Sequence, residues 1–224
     1  MSRIEKLVVA IDGPSGSGKS SVSKAVARTL QAAYLDTGAM YRAVTYAVLA
    51  AGTDLNDAAA IGQAVKDAQL QLSTDPDVER VLIGGVDVTT AIREPRISEN
   101  VSAVATNLEA RAELVRRQRQ IIEEHPRIVA EGRDITTVVA PDAEARILLT
   151  ASEAVRLARR GLELGGTQTN EQLATQVLDR DAKDSTVVNF TQAADGVITV
   201  DSSELNFEQT ITAVLDAIGV GTED

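Results

Sequence analysis

The stretch GPSGSGKSS, Gly13–Ser21, decides the fold. It fits the pattern G-x-x-x-x-G-K-[ST] through Gly13, Gly18, Lys19 and Ser20, with Pro14, Ser15, Gly16 and Ser17 between them. Its flanks agree. KLVVAID (6–12) is the continuous apolar run of a strand covered on both faces, and Lys19–Ala32 sets Val22, Ala25, Val26, Thr29 and Leu30 on one side of a helix. Glycines let such a loop wrap with its N–H groups inward, and the helix N-terminus adds its dipole. Gly13 to Ser21 are thus expected to hold a nucleoside triphosphate, with Lys19 on the β- and γ-phosphates and Ser20 as a ligand of Mg²⁺.

Working outward, strand and helix alternate. AAYL (32–35) reads as a weak second strand, and a helix follows from Ala39 with Met40, Val44, Ala47 and Val48 on its buried side. RIVAE (127–131), ARILLT (145–150) and GVITV (196–200) are three more short apolar runs, each followed by a polar turn and helical periodicity. The pattern predicts an α/β fold, a parallel sheet flanked by helices. The middle differs: LQLSTDPDVERVLIGGVDV (70–88) alternates apolar and polar residues around Asp75-Pro76-Asp77 and Gly84-Gly85, which are hairpin signals. Residues from about 53 to 100 are read as an inserted antiparallel subdomain. Residues 97–125 then have helical spacing with a break near Asn107. Their basic cluster, Arg116, Arg117 and Arg119, reads as a solvated face partnered by Glu113 and Glu123. The tail GTED is expected to fray.

Composition narrows the function classes. The chain has 224 residues, 44% of them apolar, enough to fill a core. It has no cysteine, an N-terminus unlike a signal peptide, and no apolar run of about 18 residues, so a cytoplasmic protein without a membrane segment is expected. A formal charge of -11 and 2% aromatic residues argue against a nucleic-acid partner.

A guanine-reading N-K-x-D tetrad is absent from the sequence, which argues against a GTPase. No convincing apolar strand ending in acidic residues, and no partner-signalling motif, points to a motor or transporter subunit. A small-molecule kinase remains, and it needs a second anion site and arginines that shield the transfer from water. Candidates are present: Tyr41 and Arg42 in the first turn of a helix, Arg133-Asp134 at a strand end, Arg156, Arg159 and Arg160 on one helical stretch before Gly165-Gly166, and Arg180 with Asp184. His125, before Pro126, reads as a helix-end residue.

Taken together, IDGPSGSGKSS, LDTGAMYR, IREPRISENVSAVA, LVRRQR, VAEGRDITTVVAPDA and RDAKDS, in this order, closely resemble the bacterial cytidylate kinase family over nearly the whole chain. The resemblance implies a P-loop nucleoside-monophosphate-kinase fold: a core of residues 1–36 and 101–224 with a lid at about 156–186, and a monophosphate-binding region at 37–100. It implies phosphoryl transfer from ATP, with Mg²⁺, to CMP or dCMP in a monomer acting on small molecules alone. Arg42 and Arg133, lined by Tyr41 and Thr37, would clamp the CMP phosphate. Ser102, Arg111 and Asp134 would read the cytosine edge, Arg180 and Asp184 the ribose, and Arg156 or Arg160 the transferring phosphate. The family's D-x-x-R pattern departs here, since Val187 stands three residues after Asp184, and Lys183 or a lid arginine is the expected substitute. Two alternatives stay open, another small-molecule kinase and a non-catalytic ATP-binding module.

Overall fold

The computed structural model describes residues 6–163, 169 and 174–219. Part of the expected lid, including Gly165-Gly166, and the GTED tail lie outside the described residues. The chain forms β1 (Leu7–Asp12), α1 (Lys19–Thr29), β2 (Ala33–Asp36), α2 (Thr37–Ala50), α3 (Ala58–Asp67), β3 (Leu70–Leu72), β4 (Val81–Ile83) and β5 (Val86–Asp87). It continues through α4 (Pro95–Ala105), α5 (Leu108–Glu124), β6 (Arg127–Gly132), β7 (Ala145–Thr150), α6 (Glu153–Glu163), α7 (Arg180–Asp184), β8 (Ile198–Asp201) and α8 (Phe207–Ile218).

The main sheet has the order β2-β6-β1-β7-β8, every pair parallel. Along β1 the side chains alternate between two cores, as strand geometry requires. Val8 and Ala10 join Leu35, Met40, Val44, Ile61, Val101 and Leu114 under α2, α3, α4 and α5. Val9 and Ile11 join Val22, Val26, Ile147, Leu149 and Val214 under α1 and α8. A central strand buried from Val8 onward therefore carries the phosphate loop at its C-terminal end, where α/β sheets bind ligands.

The hairpin signals become a small antiparallel sheet, β3-β4-β5. The connection between β3 and β4 also meets the main sheet, because β2 is an edge strand and its Tyr34 N–H donates to the Thr74 carbonyl at 2.8 Å. Lys24 pairs with Glu79, and Arg28 with Asp77, clamping the same segment to α1.

Several boundaries differ from the sequence reading. The first helix ends at Thr29 rather than Ala32, and Gln31 turns the chain with a φ of 50°. The second begins at Thr37, two residues earlier than expected, because the Asp36 side chain accepts from the Ala39 N–H and caps it. Helix α3 lies inside the region read as antiparallel, capped by Asp57 and buried through Ile61 and Val65. Asn107 does break the long helical run, as the N-cap of α5. A π-helical turn, Ile135–Val139, and not a regular helix, follows β6. Glu113 pairs with both Arg116 and Arg117 as expected, but Arg117 also donates to carbonyls at the end of α3, and Arg119 donates to the Val138 and Val139 carbonyls. His125 does end α5, one ring nitrogen on the Ile121 carbonyl and the other on the Thr74 hydroxyl.

Candidate active site

Strand register assembles the site. Ile11 and Asp12 stand opposite Glu131 and Gly132 of β6, and Asp36 of β2 also stands opposite Glu131. Three parallel strands thus release three loops side by side: the phosphate loop, the Arg133-Asp134 loop, and the start of α2. Asp12 anchors the second loop by accepting from the Ile135 and Thr136 N–H groups and the Thr136 hydroxyl at 2.9, 2.8 and 2.6 Å. Burial raises its carboxyl to about 6 despite those bonds.

In the phosphate loop Gly16 has a φ of 77°, and a Cβ there would lie 2.5 Å from the Arg156 carbonyl oxygen. Both the left-handed backbone and the close approach of α6 demand glycine. Lys19 folds back over the loop to donate from Nζ to the Pro14 carbonyl at 3.3 Å. Burial lowers its pKa, and the nearby Glu131 carboxylate opposes that shift. The Ser20 hydroxyl donates to Glu131 Oε1 at 2.6 Å, and the Tyr34 hydroxyl donates to the same oxygen at 3.2 Å. Burial, then the charge of Asp36, raises the Glu131 carboxyl to about 7.

This arrangement passes a chemical test for Mg²⁺. With its hydrogen given to Glu131, Ser20 Oγ keeps lone pairs for a hard cation, which prefers oxygen ligands and retains waters and substrate phosphates around it. Glu131 stands at the end of the run RIVAE, yet nothing in that run marks it as a site residue. Its carboxylate was overlooked because only the pairing of β6 with β1 shows that Glu131 meets Ser20.

Beside the loop is a cleft walled by the start of α2, the loop after β6 and α7. Thr37, Tyr41, Arg42, Arg111, Arg133, Asp134, Arg180 and Asp184 line it together with Ser15, Lys19 and Ser20. Arg42 Nη2 lies 3.0 Å from Asp36 Oδ2. Burial alone would raise the Asp36 carboxyl, but Arg42 and the Ala39 N–H outweigh it and hold the pKa low. At the far end Arg111 Nη2 meets Asp134 Oδ2 at 2.5 Å. Burial still keeps Asp134 above the ordinary carboxylate range, with Arg111 opposing.

Buried donors in this cleft are left without well-formed hydrogen bonds: Arg42 Nε, Arg133 Nη1 and Arg180 Nε, with the Tyr41 hydroxyl beside the Gln118 amide. Burial and the neighbouring Arg133 make the charge on Arg180 costly and lower its pKa. Arg133 Nη1 and Arg180 Nε lie 3.2 and 3.6 Å from Asp184 Oδ2 without forming a hydrogen bond, so three guanidinium groups with incompletely satisfied buried nitrogens line one cleft. Their natural complement is an anion with several oxygens.

The remaining candidates sit at the margins. Thr37 Oγ1 donates to the Glu131 carbonyl at 2.8 Å, and a Cβ on Gly132 would fall 2.4 Å from that hydroxyl, so the strand end packs directly on α2. Ser102 Oγ donates to Asp184 Oδ1 at 2.9 Å and reaches the cleft through that carboxylate. Arg156 Nη1 bonds the Ser15 carbonyl at 2.9 Å and Asp181 Oδ2 at 2.6 Å. Arg160 lines a wider cleft over the phosphate loop, with Ser21, Lys24, Glu79 and Arg93. Arg159 binds the Ser17 carbonyl, Ser202 and the Leu205 carbonyl. Val187 and Lys183 are exposed, while Val188 lines the cleft. Sequence reasoning also missed Phe190, whose buried ring lies 4.4 Å beneath the Arg133 guanidinium, and Asp181.

The family model for cytidylate kinase matches residues 9–219. The chain is 49% identical to a cytidylate kinase of Cutibacterium acnes over 218 residues, covering 96% of each chain. It is 48% identical to a cytidylate kinase of Nocardia farcinica over 216 residues, covering 94% of this chain and 93% of the other. Among solved structures, a gluconokinase from Sinorhizobium meliloti superposes with a TM-score of 0.52 at 15% identity, covering 97% of this chain and 93% of that one, a likeness of fold. With a family match across nearly its whole length and relatives this similar, the chain belongs to the cytidylate kinase family.

Proposed function

We propose that this protein transfers the γ-phosphoryl group of ATP to CMP or dCMP, giving ADP and CDP or dCDP. The observation that carries the reading is the cleft itself: the guanidinium groups of Arg42, Arg133 and Arg180 line it beside the phosphate loop, each with a buried nitrogen that makes no hydrogen bond, while Arg111 and Asp134 stand paired at its other end. Asp134 accepts from the cytosine amino group, Arg111 and Ser102 donate to its acceptor atoms, and Arg180 with Asp184 meets the ribose. Arg42 and Arg133 hold the monophosphate, with Thr37 and Tyr41 beside it. Residues 37–100 form the acceptor-binding region, the lid spans about 156–186, and residues 1–36 and 101–224 form the core.

No covalent intermediate is required. A CMP phosphate oxygen attacks the γ-phosphorus in line, a P–O bond forms, the bond to the β–γ bridging oxygen breaks, and ADP leaves with that electron pair. The acceptor is already ionised near neutral pH, so no general base is needed. Gly13 to Ser21 bind the triphosphate, Lys19 neutralises its β- and γ-oxygens, and Arg156 or Arg160 shields the transferring group. Ser20, backed by Glu131, would hold Mg²⁺, which supplies charge neutralisation between the phosphates. We read the protein as a cytoplasmic monomer acting on small molecules.

A screen of CMP, dCMP, UMP, AMP, dTMP and shikimate with ATP tests the reading. ADP release that depends on CMP and dCMP is the expected result. Release with a different acceptor would assign another kinase activity, and ATP binding without acceptor-dependent release would make the chain a binding module.

A further inference from the structure

We infer that Asp181 is a positioning residue that assembles the anion site and then yields it to the triphosphate. Its carboxylate takes three donors that a phosphoryl group would take. Oδ1 accepts from the Ser15 N–H of the phosphate loop at 3.2 Å and lies 2.7 Å from Arg133 Nη2, while Oδ2 lies 2.6 Å from Arg156 Nη1. These donors belong to the phosphate loop, the loop after β6, and α6, and Asp181 itself is buried on α7. A backbone N–H of a phosphate loop plus two guanidinium groups is an anion receptor, and a carboxylate matches its charge and oxygen spacing.

Asp184 does not duplicate this role. Its Oδ1 is occupied by Ser102, and its Oδ2 is 3.2 Å from Arg133 Nη1 and 3.6 Å from Arg180 Nε. Asp181 thus holds two like charges, Arg133 and Arg156, against the loop they serve. A triphosphate entering the loop must displace it, so the same carboxylate that organises the arginines also weakens anion binding. The inference rests on the phosphate-loop and Arg133 assignments above.

The test is calorimetric binding of the β,γ-imido analogue of ATP with Mg²⁺, without acceptor, to wild type, Asp181→Asn, Asp181→Ser and Asp181→Glu. The uncharged variants should bind the analogue about tenfold more tightly, roughly the factor attached to one charge-assisted hydrogen bond. Inorganic sulfate should compete correspondingly better, and turnover with CMP should show a lower KM for ATP together with a lower kcat. Asp181→Glu should restore the weaker binding. Unchanged or weaker analogue binding in a folded Asn or Ser variant overturns the proposal. So does loss of the fold in both, which would make Asp181 a structural ion-pair residue. Failure of wild type to phosphorylate CMP would instead defeat the functional reading and leave the binding comparison interpretable.

Discussion

Replacing Arg111 with methionine separates the electrostatics of the far end of the cleft from its shape. Methionine keeps much of the buried stem of the arginine but removes the guanidinium that lies 2.5 Å from Asp134, in a pair whose side chains are 14% and 5% exposed. Breaking such a buried pair from one side strands the other charge, at a cost of about 3–5 kcal/mol. At about 2–4 °C per kcal/mol for a chain of this size, the melting temperature should fall by roughly 6–20 °C at pH 7. The sign with pH follows from Asp134. Its folded pKa is already above the unfolded value because of burial, and loss of Arg111 raises it further. The folded state then binds the proton more tightly than the unfolded state, so the penalty grows as pH rises through the unfolded carboxylate pKa and shrinks on acidification. Thermal unfolding followed by circular dichroism at pH 5 and pH 7 reads both effects, and Arg111→Met with Asp134→Asn should recover most of the loss. A single variant that loses less than about 1 kcal/mol, or a double variant whose losses simply add, would refute the reasoning.

Other expectations follow from the same geometry. Lys19→Ala should abolish turnover in a coupled nucleotide assay while the folded signal survives, and near-wild-type rates would sink the phosphate-loop assignment. Gly16→Ala places a Cβ 2.5 Å from a backbone oxygen at a φ of 77°, so ATP affinity should collapse with a lower melting temperature; calorimetry and thermal unfolding check both. Asp12 and Glu131 have folded pKa values raised by burial to about 6 and about 7, so their contribution to stability falls as pH rises from about 4 to 7. Urea titrations at pH 5 and pH 8 should show that fall, and Glu131→Gln should flatten it; an unchanged slope would contradict the assignment.

The elements that sequence revealed are those whose signal is local. A phosphate-binding loop between an apolar strand and an amphipathic helix has its reason within some 25 residues, as do the Gly84-Gly85 turn and the Asn107 break. What stayed hidden depends on register or on partners far along the chain. The carboxylate of Glu131 meets Ser20 only because β6 pairs with β1, and that pairing spans more than 110 residues. Asp181 and Phe190 gain their roles only through Arg133, which pairs with the first and stacks on the second from a distant part of the chain. Helix α3 was legible in principle, with Asp57 as a cap and Ile61 and Val65 four apart, but the surrounding hairpin signals masked it. Among the arginines of α5, the Glu113 pairs with Arg116 and Arg117 are legible in the helical spacing, whereas the carbonyls of other segments that Arg117 and Arg119 also bind are not.

The contact between Tyr34 and Thr74 has a consequence for protein engineering. Strand β2 would otherwise present an open row of backbone donors and acceptors, the template from which sheets of separate molecules grow into aggregates. The connection between β3 and β4 acts as a guard on that edge. Trimming the insertion to obtain a minimal phosphotransfer scaffold would therefore bare a sticky margin, and a shortened chain would need a charged or proline-bearing replacement there to stay in solution.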